Sequence, residues 1–214
     1  MTPSEHPLAG VLAWVARLVS GVQIRWEGAP PEARQRVYFA NHSSHLDFVV
    51  LWSALPVEIR SRTRPVAARD YWEKGLLRPY LAGKVFRAAL IERGERTAAP
   101  GEGMAAGRTL IDRLLEALGE EGSLIVFPEG TRGSGEEVGA FKSGIYHLAR
   151  RKPDLEFVPA YLENLNRVLP KGEVLPVPLL STVTFGPPLR LLAEETRQGF
   201  LERARAAVCA LRRR

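Results

Sequence analysis

Residues 36–55 read RVYFANHSSHLDFVVLWSAL, and this stretch decides the fold class. Arg36 to Ala40 is a short run of aromatic and β-branched residues, the composition of a strand. A polar turn, Asn41 to Ser44, follows, and from Phe48 to Leu55 the chain is an apolar helical run. A strand that passes through a few polar residues into a helix is half of a β-α-β unit. The same rhythm recurs outward in both directions. Strand-like runs appear as QIRW (23–26), RPVAA (64–68), AALIE (88–92), SLIVF (123–127), EFVPAYL (156–162) and STVTF (181–185). Between them, Leu110, Ile111, Leu114, Leu115 and Leu118 recur at helical spacing, which predicts an amphipathic helix over 103–119 closed by Gly119. Phe200, Leu201, Ala204, Val208 and Leu211 form a second such stripe, with Glu194 and Glu195 expected in its first turn and Arg212 to Arg214 at its end, charges that suit the helix dipole. The expected fold is therefore α/β: a single layered domain with a mixed, largely parallel central sheet flanked by helices, plus an apolar N-terminal helix.

The N-terminal stretch PLAGVLAWVARLVSGV (7–22) is apolar but broken by Arg17, and is shorter than the roughly 20 apolar residues a bilayer span requires. Glu5 and His6 precede it where a secretory signal carries positive charge, so it is expected to be retained. It reads either as a helix packed on the core or as an interfacial helix with Trp14 and Arg17 at headgroup level. The expected division is an N-terminal apolar helix, packed or at a membrane surface, over 1–21 and one domain over 22–214.

Across 214 residues, 30 Lys and Arg stand against 24 Asp and Glu, a net charge of +6 that favours a polyanionic partner. No aromatic RNA-binding signature, zinc-finger spacing or helix-turn-helix pattern accompanies the charge, so nucleic acid is disfavoured and an anionic membrane face or a phosphorylated substrate remains. The single cysteine, Cys209, can form no internal disulfide.

Chemistry is carried first by NHSSHLD, 41–47, at a strand end, where α/β folds place reactive groups. A neutral His42 can take a proton from a hydroxyl, while the Asp47 carboxylate on its other nitrogen fixes the tautomer. Read without further context, the same residues also fit a structural histidine, or a metal held by His42, His45 and Asp47. Ser43 and Ser44 read as helix-capping rather than nucleophilic. His147 reads as a helix-surface residue and His6 as part of a mobile start. The second constellation is FPEGTR, 127–132, directly after SLIVF. There Pro128 stops the strand, Gly130 permits close backbone approach, and Arg132 offers a planar fork that matches a phosphate. A plain turn with a solvated Glu129–Arg132 pair is the alternative.

The two constellations together resemble the glycerolipid acyltransferases typified by bacterial 1-acyl-glycerol-3-phosphate acyltransferase. The family's Asn-His, four residues, Asp motif stands here as Asn41, His42 and Asp47, and its Phe-Pro-Glu-Gly-Thr-Arg motif is complete at 127–132, followed by GAFKSGIYHLA. Its Val-Pro strand matches Val158 and Pro159. Its strand ending in an acidic residue and Arg is similar to LIER, with Arg93 in the Arg position. Two departures stand out: the family's Gly before that strand falls near Arg87 and Ala88, and its usual Lys after the third strand is replaced by Arg69.

The resemblance implies acyl transfer from acyl-CoA or acyl carrier protein, without a further cofactor, to a lysophospholipid acceptor in phospholipid synthesis. His42 would act as the base and Asp47 would orient it. Arg132, Arg93 and Arg69 would hold the acceptor phosphate, Glu129 would fix Arg132 or bind a hydroxyl, and backbone N–H groups at Gly130 and Thr131 would stabilise the oxyanion. Lys142 would contact phosphate or cap its helix. It implies an enzyme at the cytoplasmic face of the membrane, peripheral or monotopic. Another acceptor, such as glycerol 3-phosphate or a lyso-aminolipid, a metal-dependent hydrolase, and a non-catalytic lipid-binding protein are the competing readings.

Overall fold

The computed structural model describes residues 6–28, 30–73, 75, 77–92, 103–168 and 180–212. In chain order its elements are α1 (Pro7–Ser20), β1 (Gln23–Trp26), β2 (Arg36–Ala40), α2 (Asp47–Ala54), α3 (Val57–Arg60), β3 (Thr63–Ala68), α4 (Arg69–Trp72) and α5 (Leu77–Tyr80), which runs into a π-helical turn, Leu81–Val85. The chain continues with β4 (Ala89–Ile91), α6 (Gly103–Leu118), β5 (Ser123–Val126), α7 (Gly144–Arg151), β6 (Glu156–Glu163), α8 (Leu165–Val168), β7 (Thr182–Phe185) and α9 (Arg197–Ala210). All seven strand-like runs of the sequence are strands.

They form one sheet in the order β1-β7-β6-β2-β5-β3-β4. The pairs β2–β5, β2–β6, β3–β5 and β3–β4 are parallel, so five strands run one way. Strand β7 is antiparallel to β6 and carries β1 with it. The sheet is therefore mixed and largely parallel, as expected.

Period-2 alternation in the central strands builds two cores. Tyr38, Ala40, Ile125, Val158, Ala160 and Leu162 face the side covered by α1 and α2. Val37, Phe39, Leu124, Phe157 and Tyr161 face the side covered by α6, α7 and α9, where Ile111, Leu114, Leu118 and Phe200 meet them. Every residue of β2 is buried, which is why RVYFA is apolar on both faces and reads as a continuous run. Truncating a side chain such as Phe39 here would cost about 3–5 kcal/mol. Helix α6 ends at Gly119, whose φ of 52° lets its N–H close onto the Leu115 carbonyl.

Three local expectations differ from the structure. Helix α9 begins at Arg197, because the Thr196 hydroxyl accepts from the Gly199 N–H and caps it there. Glu194 and Glu195 thus precede the helix, and Glu195 instead pairs with Arg203 at 2.7 Å. His6, expected in a mobile start, is the N-cap of α1 and accepts from the Leu8 N–H. Arg17, placed at headgroup level in the interfacial reading of α1 but not in the core-packed one, turns inward onto the carbonyls of Ser53 and Leu55 at the end of α2. The buried side of α1 is Ala9, Ala13 and Ser20, while Leu8, Val11, Trp14, Val15 and Leu18 are exposed. No helix among the described residues is long and apolar enough to cross a membrane.

Candidate active site

Strands β2 and β5 are parallel neighbours, so the segments that leave their C-terminal ends emerge at one edge of the sheet. His42 follows the first and Glu129 the second. Asn41 extends the pairing one residue beyond the β2–β6 ladder: its amide nitrogen donates to the Leu162 carbonyl at 2.9 Å and its amide oxygen accepts from the Leu162 N–H at 2.8 Å. That side chain, 6% exposed, sets where His42 begins.

The His42 Nδ1 lies 2.8 Å from Asp47 Oδ2. The same oxygen accepts from the backbone N–H of Ser43 at 2.6 Å and of Ser44 at 2.8 Å. Three N–H groups around one oxygen, with the side chain shut from solvent, fix the Asp47 carboxylate in position. It also occupies the first turn of α2, where the helix dipole favours a negative group. Ser43 and Ser44 serve here through their backbone N–H groups, and the Ser44 hydroxyl accepts from the Leu46 N–H at 3.3 Å, although the N-cap residue of α2, Leu46, makes no side-chain cap bond itself. With Nδ1 on Asp47, Nε2 is the ring nitrogen left for substrate, and the imidazole remains 23% exposed. Its ring stacks on Phe127, centroids 4.4 Å apart.

The FPEGTR turn grips the backbone of His42 from both sides. Glu129 Oε1 accepts the His42 N–H at 2.8 Å, and the Gly133 N–H donates to the His42 carbonyl at 2.8 Å. The other Glu129 oxygen accepts from the Gly139 N–H at 2.9 Å. Glu129, 7% exposed, is thus engaged by the backbone of two loops. The Gly130 N–H closes the turn onto the Phe127 carbonyl at 3.0 Å, so the expectation that it points at an oxyanion is not met. At its φ of 70°, an added Cβ would stand 2.9 Å from Lys142 Nζ, so Gly130 makes room for the Lys142 side chain over the turn.

Thr131 and Arg132 are exposed, and Arg132 immediately precedes the Gly133 whose N–H donates to the His42 carbonyl. His45 reports on the cations around it. Its pKa is lowered from 6.5 by partial burial and by the nearby charges of Arg132, His42 and Arg78, with Asp47 pulling the other way. Arg132 and the His42–Asp47 pair therefore share one region. Arg78, on α5, belongs to it too, and no motif in the sequence marks it. Arg69 starts α4 directly after β3, at the same edge, and pairs with Glu73 at 3.4 Å. Such an exposed pair contributes less than about 1 kcal/mol. Arg93 lies outside the described residues. His147 is exposed on α7. No three His, Cys, Asp or Glu side chains among the described residues gather as a metal group.

The model of the Acyltransferase family matches residues 22–163, which include both constellations. The chain belongs to the Acyltransferase family. Within it, 1-acyl-sn-glycerol-3-phosphate acyltransferase of Limnanthes douglasii is 30% identical over 190 residues, 86% of this chain and 59% of that protein. The alpha form of that enzyme from Homo sapiens is 32% identical over 133 residues, 60% of this chain and 42% of its own length. The chain thus spans about three fifths of the length of the plant relatives it matches. The crystal structure of the 1-acyl-sn-glycerophosphate acyltransferase of Thermotoga maritima has the same fold, with a TM-score of 0.65 at 17% identity over 94% of this chain and 78% of that one. The family match covers β1 to β6 and leaves α1, α8, β7 and α9 outside.

Proposed function

We propose that this acyltransferase moves a fatty acyl group from an acyl thioester to the free hydroxyl of 1-acyl-glycerol 3-phosphate, giving phosphatidic acid. The observation that carries the reading is the His42–Asp47 pair, held at the sheet edge by the very turn that bears Arg132. An imidazole with Nδ1 on a buried carboxylate has Nε2 free to accept a proton, and the carboxylate stabilises the imidazolium that results. The acceptor hydroxyl gives its proton to Nε2 as its oxygen attacks the thioester carbonyl. The tetrahedral intermediate then expels the thiolate, which takes the proton back from His42. The acceptor oxygen is itself the nucleophile, so the sequence needs no acyl-enzyme. Arg132 and Arg78 supply guanidinium groups for the acceptor phosphate, and Arg69 and Arg93 are candidates for the same role. Acyl-CoA or acyl carrier protein would be the donor, with no other cofactor.

The acceptor's acyl chain lies in a bilayer, and the exposed apolar row on α1, Leu8, Val11, Trp14, Val15 and Leu18, supports a place on the membrane surface, peripheral or monotopic, at its cytoplasmic face. The test is acyl transfer by the purified chain from acyl-CoA to 1-acyl-glycerol 3-phosphate, to glycerol 3-phosphate and to an acylglycerol without phosphate. The first should be used best. Transfer by His42→Ala at the wild-type rate, or equal use of the acceptor without phosphate, would overturn the reading.

A further inference from the structure

A cavity of about 280 Å³ lies away from the catalytic edge, lined by His6, Trp52, Arg60, Lys84 and Arg87, with Ser61 and Thr63 beside them. Thr63 opens β3, Ser61 lies two residues before it at the end of α3, and Arg87 precedes β4. These strands run parallel to β2, so the cavity opens at the N-terminal edge of the sheet, opposite His42.

Its lining is built from unusual backbone. Lys84 and Val85 belong to the five-residue π-helical turn that ends α5, a rare form of helix that is frequent at functional sites. Arg87 sits at a φ of 46°, in the left-handed region that a non-glycine residue enters only at a cost, and there its guanidinium donates to the Ser61 carbonyl. Arg60 is 7% exposed, lies over the Trp52 ring at 5.2 Å and donates to the Leu55 carbonyl. The cavity also meets the start of α1, a 14-residue helix whose positive dipole end lies at His6 and Pro7.

The charge is one-sided. No Asp or Glu lines this cavity among the described residues. Arg17 adds to the positive field, since its pKa is lowered by burial and by Arg60. A neighbouring cavity of about 220 Å³ shares Arg87 and adds Arg62 and Arg64, but Glu116, Glu120 and Glu121 line it as well. That second cavity neutralises itself, and the first does not. Strain, a π-turn and buried guanidinium would be an odd way to line a space left to water alone.

From this we infer that the cavity bounded by Arg60, Lys84 and Arg87 is a second anion site, which binds a phosphate group at the sheet edge opposite the catalytic pair. Guanidinium and ammonium groups gathered on one cavity wall match the tetrahedral oxygens of a phosphate, while the Ser61 and Thr63 hydroxyls donate to the Glu58 and Ile59 carbonyls. Two sources carry that chemistry: an anionic phospholipid headgroup, which the adjacent exposed Leu8 and Val11 would favour, and the phosphates of a coenzyme A donor. The inference does not depend on the acyl-transfer reading.

The test uses the double variant Lys84→Ala/Arg87→Gly. Lys84 is exposed and glycine accepts the φ of position 87 without strain, so the fold is retained, as an unchanged unfolding midpoint verifies. Binding of inorganic phosphate, of coenzyme A, and of phosphatidylcholine vesicles with and without phosphatidylglycerol is measured for both proteins in an Arg132→Ala background, which removes the active-site fork. The expected result is at least a tenfold loss in the double variant for one or more probes. Loss with coenzyme A identifies the donor as the source, loss confined to the phosphatidylglycerol increment identifies a lipid headgroup, and loss with inorganic phosphate alone identifies a free-phosphate site. Unchanged binding of all three probes by the folded double variant overturns the inference, as does failure of the protein with Lys84 and Arg87 intact to bind any of them.

Discussion

The backbone N–H of His42 donates to Glu129 Oε1 at 2.8 Å, across 87 residues of chain, and so ties the imidazole-bearing loop to the arginine-bearing one. Glu129 spends its second oxygen on Gly139, so both of its oxygens serve as acceptors from backbone. Glu129→Gln keeps one acceptor and turns an NH2 toward the other N–H. A displacement of about 1 Å at a catalytic group can cost roughly 100-fold. The variant should lose on the order of 10- to 100-fold in kcat with little change in KM for the thioester, measured by steady-state acyl transfer. A wild-type kcat would show that the link does not position the base.

Asp47→Asn attacks the pair itself. Three donors, His42 Nδ1 and the N–H groups of Ser43 and Ser44, converge on one Asp47 oxygen, and the neutral amide cannot stabilise an imidazolium. The fall in kcat should be on the order of 10⁴-fold. The loss should exceed that of Glu129→Gln, and the reverse order would show that Asp47 is mainly structural.

His45 gives a titration that reads the cationic region directly. It should titrate below its ordinary value of 6.5, because partial burial and the charges of Arg132, His42 and Arg78 disfavour the imidazolium. Removing one of those charges relieves the repulsion, so Arg132→Ala and Arg78→Ala should each raise the His45 pKa, followed by NMR. A value unmoved by both substitutions would put the arginines apart from the site.

The sheet edges differ in how much of them the sequence discloses. All seven strands were legible because each is a short β-branched or aromatic run, and β2, buried on both faces, is the clearest. Their order was not, since β2 pairs with β5 and β6 through contacts that no local pattern encodes. His42 and Asp47 were legible because their partners lie within one turn of chain. The role of Glu129 was hidden because its partners are backbone groups, which every residue carries. Arg78 was hidden for another reason: only the path of the chain between β3 and β4 brings it to His45. The start of α9 was misread because Glu194 and Glu195 suit a first turn as well as Thr196 suits a cap.

Acid stability should depend on Glu156. Burial pulls its pKa up, but hydrogen bonds and charges from Arg36 and Arg190 outweigh that and leave it below 4.5. The carboxylate's stabilising contribution is therefore complete above about pH 4.5 and is lost as pH falls through the lower folded value. Arg36, 3% exposed, is left without that carboxylate in Glu156→Gln, which should cost about 3 kcal/mol at neutral pH and flatten the decline in acid. Urea midpoints at pH 7 and pH 4 check both parts. An equal acid decline in the variant would mean that other carboxylates govern it.

Asp47 is at once the anchor of the imidazole and the opening residue of α2, so chemistry and helix share a hinge pin. Anything that frays the beginning of that helix, whether warmth, an alcohol or a mutation deeper in α2, slackens the histidine while the strands beneath are still intact. Turnover in this protein should therefore fade ahead of global melting, which makes its catalytic rate a sensitive gauge of one helical turn.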